Sequence, residues 1–295
     1  MKPSRDDSVG FNAAVLCYVL WGLVPIFWKQ LQHIHAFELI NHRIIWSVVL
    51  LLIIIAAQKR LKVFIRGFLK IKSLLLLIVT TLLISTNWLI FIWAVNENHI
   101  LDTSLGYYIN PILNIFLGSL ILKEKLSKLQ KCAVAIATTG VLYLAFNMGY
   151  IPWIAITLAL SFALYSFVRK VAPMEPLMGL AQETAILLLP ALIYLGYLES
   201  SGQSAFGHSL SDSIWLFFCG AVTLIPLLLF LFSLKRIKLS TIGILQFITP
   251  TTTFFLAIFY YKEPFEPAKL IAFALIWIAV IMYISDLRLK AKKLS

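Results

Sequence analysis

Ten stretches of roughly 16–23 residues, almost free of charge, occupy most of this sequence: 11–28, 37–57, 73–95, 103–122, 132–148, 151–168, 176–198, 213–234, 239–261 and 270–285. A helix rises about 1.5 Å per residue, so about 20 apolar residues cross the hydrocarbon of a bilayer. The two short stretches, 132–148 and 270–285, are each bounded by charges and still read as spans. The chain is 61% hydrophobic and 13% charged, whereas a soluble domain is about 45–50% apolar and about 25% charged. A soluble enzyme and a disordered chain are both excluded. Runs such as Ser73-Leu-Leu-Leu-Leu-Ile-Val are apolar on every face and lack the alternation of an outer-membrane barrel. The expected fold is an all-α polytopic membrane protein of ten helices.

An even number of spans puts both termini on one side. With the termini cytoplasmic, 21 of the 25 lysines and arginines fall in inner segments, the largest group being Lys59, Arg60, Lys62, Arg66, Lys70 and Lys72. Outer segments hold Lys29, Lys262 and Lys269, and Arg43 lies within a span. The outer loops carry acids instead: Glu97 and Asp102, Glu199 and Asp212, Glu263 and Glu266. This is the positive-inside pattern, and it accounts for the net charge of +12 without a nucleic-acid partner. The basic stretch from Lys59 to Lys70 has Leu61, Phe64, Ile65, Phe68 and Leu69 at helical spacing, as expected for a helix lying on the cytoplasmic lipid surface. The first apolar run reads as an uncleaved span, having no small-residue cleavage site behind it. Cys17, Cys132 and Cys219 fall in three different spans and give no disulfide or metal-ligand spacing.

The chain repeats itself. A gap-free shift of 139 lays residues 104–146 over 243–285, placing Pro111 on Pro250 and Lys123-Glu124 on Lys262-Glu263. A shift of 140 places Trp28-Lys29 on Val168-Arg169. The expected organisation is two five-span halves, 1–147 and 148–295. Because five is odd, the second half is expected to be inverted, a pattern of secondary transporters that places a solute site near mid-membrane between the halves.

Several motifs then point to a family. Trp21-Gly-Leu-Val-Pro-Ile-Phe-Trp-Lys29, Glu38-Leu-Ile-Asn-His-Arg-Ile-Ile-Trp-Ser47, Asn87-Trp-Leu-Ile-Phe-Ile-Trp-Ala-Val95 and Ser104-Leu-Gly-Tyr-Tyr-Ile-Asn-Pro111 occur in the first half. Lys238-Leu-Ser-Thr-Ile-Gly, Gln246-Phe-Ile-Thr-Pro250 and Phe273-Ala-Leu-Ile-Trp277 occur in the second. Together they resemble the RarD-type members of the EamA branch of the drug/metabolite transporter superfamily, over about residues 9–286. The resemblance implies a ten-helix bacterial inner-membrane protein with two EamA repeats around a central cavity. Members are named for chloramphenicol sensitivity, which leaves the physiological solute open.

Candidate residues follow from the cost of polarity in lipid. Proline inside a span frees a carbonyl, so Pro111, Pro226 and Pro250 mark expected kinks. Tyr107, Tyr108 and Asn110 precede the first; Gln246, Phe247 and Thr249 precede the last. An aromatic wall with a few amides and hydroxyls suits an amphipathic or aromatic solute, although tyrosines near a helix end also form interfacial belts. Asn87, Trp88 and Trp21 are further cavity candidates, for which helix packing is the alternative. Glu38 and His42 share a helix face, with Arg43 the next position round. They read either as an anion or proton site near the outer mouth or as a structural cluster. Glu183 falls at the place of Arg43 in the second half and is a proton-coupling candidate, at a depth that forbids a direct Arg43–Glu183 bond. No Walker-type phosphate loop, metal constellation or nucleophile elbow is present, so no enzyme activity, cofactor or metal is expected.

The expected function is secondary-active transport of a small organic metabolite or drug by alternating access, more in the outward direction, driven by a proton gradient or exchange. The partners are the solute, protons and membrane lipids, in a monomer or a homodimer. The alternative is a non-transporting membrane assembly or enzyme component, against which the short loops argue.

Overall fold

A computed structural model describes residues 5–97, 99–147, 149–262 and 267–292. Of the sequence features above, Lys2, Met148, Glu263, Glu266 and Lys293 lie outside the described residues. The helices are α1 (Arg5–Lys29), α2 (Ala36–Ala57), α3 (Leu61–Leu69), α4 (Ile71–Asn96), α5 (Ile100–Phe116) and α6 (Lys128–Asn147). They continue as α7 (Trp153–Val171), α8 (Pro176–Ser200), α9 (Leu210–Leu234), α10 (Leu239–Gln246), α11 (Ile248–Phe255) and α12 (Pro267–Lys292). There is no strand among the described residues. Ten helical segments are long and apolar enough to cross a membrane, with α10 and α11 counted together. The ten expected spans are therefore all present.

Two helices end in the same unusual way. α5 runs into a π-helical turn, Leu117–Ile121, and α11 into another, Leu256–Tyr260. Each is followed by a lysine in left-handed conformation, Lys123 with φ 54° and Lys262 with φ 58°. A π turn holds one more residue than an α turn and is rare. Its recurrence at the 139-residue shift ties the repeat to backbone geometry and not only to composition. The prolines behave less uniformly. The helix is interrupted at Phe247, three residues before Pro250, whereas α5 and α9 run without a break through Pro111 and Pro226.

The packing partners also exchange between the first five spans and the last five. α1 packs on α9 and α11, and correspondingly α7 packs on α4 and α5. α2 packs on α9 as α4 does on α8, while α2–α8, α5–α10 and α6–α12 each join equivalent helices. Close approach needs small residues, since lipid tails supply no hydrophobic drive between helices. At the α5–α10 crossing a Cβ on Gly243 would lie 2.6 Å from the Pro111 carbonyl oxygen.

α3 carries Leu61, Ile65 and Leu69 exposed, with Phe64 and Phe68 half-buried. Gln182 of α8 donates to the Phe64 carbonyl at 2.7 Å, fixing α3 against the bundle. Its exposed apolar residues fit a lipid surface.

Candidate functional site

Arg43 lies two turns into α2, whose start is capped by the His35 ring accepting from the Phe37 amide. Its Nε donates to Thr223 Oγ1 of α9 at 2.9 Å. The guanidinium carbon is 5.3 Å from the Trp28 ring of α1 and 5.1 Å from the Trp88 ring of α4. Tyr107 of α5 is within electrostatic reach. Side chains from α1, α4, α5 and α9 thus surround one cation of α2, which places it inside the bundle. Tyr107 is nonetheless 49% exposed and Arg43 is half-buried. No carboxylate among the described residues pairs with Arg43.

The neighbours of Arg43 in sequence face elsewhere. Glu38 is buried and its Oε1 accepts from the Ala205 amide at 2.7 Å and from Ser204 Oγ at 3.4 Å. His42 Nε2 is 3.8 Å from Glu38 Oε1, and its ring stacks on Phe206 at 5.1 Å. Glu38 and His42 therefore hold the loop between α8 and α9. One residue of helix turns the chain by about 100°, which carries Arg43 away from that loop and into the bundle.

Glu183 of α8 sits in a different setting. Its Oε2 accepts from the Tyr165 hydroxyl at 3.0 Å, and its Oε1 is 3.4 Å from Arg169 Nη1. Both charged side chains are 1% exposed. Arg169 also donates to the Pro176 carbonyl at 3.2 Å. The space for its guanidinium exists because residue 179 is glycine: a Cβ there would fall 1.9 Å from Nη1. Arg169, which enters the sequence reading only as the repeat match of Lys29, is a buried partner that the sequence reading missed. The register offered a signal, because residues 169 and 183 flank a short turn between antiparallel helices.

Beside this pair two lysines cap helix ends reciprocally. Lys170 of α7 donates to the Leu234 and Ile237 carbonyls at 2.7 and 2.6 Å. Lys235, just after α9, donates to the Lys170 and Ala172 carbonyls. Burial, together with the charges of Arg169 and Lys170, pushes the Lys235 amine down to about 8. Glu124 closes the same region: its carboxylate accepts from the Leu239 and Ser240 amides at 2.8 and 2.9 Å, capping α10.

The remaining candidates bridge helices. Asn110 donates to the Ala159 carbonyl of α7 at 2.7 Å, and Asn114 donates to Asn110 Oδ1 and to Gln246 Oε1 at 3.1 and 2.9 Å. Thr249, the repeat equivalent of Asn110, donates to the Tyr18 carbonyl of α1 at 3.0 Å. The residue before each proline thus ties its helix to the first helix of the other half. Asn114 was not singled out above, although it sits one turn from Asn110 on the same face. Asn87 donates to the Leu158 carbonyl and to Ser161 Oγ of α7. Tyr108 and Phe247 are buried in the apolar core, Tyr108 packing on Phe273 at 5.7 Å. Trp21 packs with Tyr18, Phe162 and Phe230 at 5.6–6.1 Å.

Comparison with known proteins gives the family and the fold. The EamA-like transporter family matches twice, over residues 9–146 and 150–285. The uncharacterized transporter YojE of Bacillus subtilis (strain 168) is 42% identical over 286 residues, 94% of this chain and 94% of its own. Protein RarD of Escherichia coli (strain K12) is 39% identical over 287 residues, covering 96% of each chain. A solved protein crystal structure superposes with a TM-score of 0.69 at 16% identity, covering 95% of this chain and 97% of its own, a likeness of fold alone. The chain belongs to the EamA-like transporter family and is a multi-pass membrane transporter.

Proposed function

We propose that the protein is a secondary transporter that moves a small organic metabolite or drug by alternating access, with export the favoured direction. The halves 1–147 and 148–295 act as two inverted repeats, in a bacterial inner membrane with both termini cytoplasmic. The bias of lysine and arginine toward one set of loops supports that orientation.

The observation that carries the reading is the unequal state of two repeat-equivalent positions. At residue 183 a buried ion pair with Arg169, backed by two lysine caps, ties α7, α8 and α9 together. At residue 43 the charge has no carboxylate partner among the described residues and is only partly buried within the bundle. One end is locked while the equivalent end is loose, as expected of one state in a cycle whose halves trade roles.

Glu183 is the coupling residue in this scheme. Protonation would neutralise its carboxylate and release Arg169, with Tyr165 and Thr80 as the other groups facing it. Purified protein in vesicles, tested on a panel of amino acids and aromatic metabolites with and without a pH gradient, checks the reading. Solute flux that follows the gradient supports it, and no movement of any solute overturns it. A Glu183→Gln protein with undiminished gradient-dependent flux would remove the coupling role and leave transport standing.

A further inference from the structure

We infer that Arg43 is the docking cation for an aromatic monocarboxylate. This rests on the reading of the protein as a transporter of small organic solutes and names the class of solute. A guanidinium inside a membrane-crossing helix is expensive to keep and is almost always paired or set in a wet cavity. Here its Nε is held by Thr223, which fixes the plane of the fork. The two terminal nitrogens make no hydrogen bond with any described residue, and the half-buried side chain stays accessible. A fork presented in this way matches the two oxygens of a carboxylate.

The surroundings narrow the class. The indoles of Trp28 and Trp88 both lie within 5.3 Å of the guanidinium carbon, and Tyr107 is half-exposed beside it. These surfaces suit a flat apolar body attached to the anion. One guanidinium balances one negative charge, whereas a phosphate monoester would bring close to two. A zwitterionic amino acid would also need an acceptor for its ammonium. The nearest acid in sequence, Glu38, is committed to the Ala205 amide on another face. Glu183, the acid at the equivalent position of the second half, is already paired with Arg169.

Tryptophan fluorescence and calorimetric titration of the detergent-solubilised protein test this without requiring transport. The probes are 3-phenylpropionate, benzoate and indole-3-acetate, with 3-phenylpropionamide, phenylalanine and phenyl phosphate as comparisons. The acid should bind about tenfold or more tightly than its amide, in line with a charge-assisted pair. Arg43→Gln should erase that preference. Arg43→Lys, which keeps the charge and loses the fork, should retain only part of it. Both variants are checked for cooperative thermal unfolding. Equal affinity for acid and amide, a preference that survives Arg43→Gln, tighter binding of phenylalanine or phenyl phosphate, or no binding by any acid overturns the proposal. Acid binding without flux in vesicles would sink the transporter reading alone, and flux of uncharged solutes without acid preference would sink this inference alone.

Discussion

Arg43 and Glu183 occupy the same register in two similar sets of five helices, yet their surroundings are opposite. In the second set, Arg169 at the end of α7 reaches Glu183 near the start of α8, and both vanish from solvent. In the first set the matching residues are Lys29 and Arg43, two cations. Lys29 turns outward over the Tyr261 ring at 3.8 Å, and Arg43 turns to Thr223 and two indoles. Gly179, which makes room for Arg169, has Leu39 as its first-half equivalent. The packing is similar in the two sets, yet one position holds a clamped ion pair and the other a cation set against a threonine and two indoles.

The largest expected effect tests the clamp. Glu183→Ala leaves Arg169 buried without a partner and should lower stability by about 3–5 kcal/mol, read as thermal unfolding in detergent. Arg43→Ala removes one hydrogen bond and two ring contacts from a partly buried group and should cost only about 1 kcal/mol. Similar losses for the two variants would break the comparison. Next, Gly179→Ala should cost about 1–3 kcal/mol by overpacking against Arg169. That penalty should shrink in an Arg169→Leu, Glu183→Leu background; if it does not, the glycine serves some contact other than the arginine. Asn114→Leu leaves Gln246 Oε1 without its donor and should cost about 1–2 kcal/mol, more than Thr253→Val at the equivalent position, whose bond to the Gly22 carbonyl is 3.3 Å long.

The last effect is a pH dependence beside the clamp. The amine of Lys235 is lowered to about 8 in the folded protein, below its ordinary value of about 10.4 in the unfolded chain. Between those values the unfolded chain binds the extra proton, so stability rises with pH there. The penalty for holding the charged lysine is present in full below about pH 8. A Lys235→Met protein should lose this rise in unfolding temperature between pH 8 and 10, and an unchanged slope would assign it to another group.

Much of the fold was legible because the bilayer leaves few choices: a charge-free stretch of sufficient length becomes a helix, and ten such stretches did. Pro111/Pro250 and Lys123/Lys262 carry backbone constraints, and the π turns and left-handed lysines recur at the same shift. Which face of each helix turns inward was much less so. Lipid and protein core are both apolar, so Tyr108 and Phe247 gave no contrast that would mark them as core rather than cavity wall. Glu38 and His42 share one face and Arg43 takes another, since adjacent positions on a helix point about 100° apart. Arg169 was hidden because a basic residue at a span end satisfies the charge rule whether it is solvated or buried. Asn114 has no adjacent proline to mark it, and its bonds to Asn110 and Gln246 appear only once the helices are packed.

The reciprocal lysine caps carry a mechanical consequence. Lys170 grips the carbonyls at the end of α9, and Lys235 grips those at the end of α7. Neither helix end can swing free without tearing bonds belonging to both, so the two behave as one rigid lever. Any motion at this end therefore displaces α7 and α9 together.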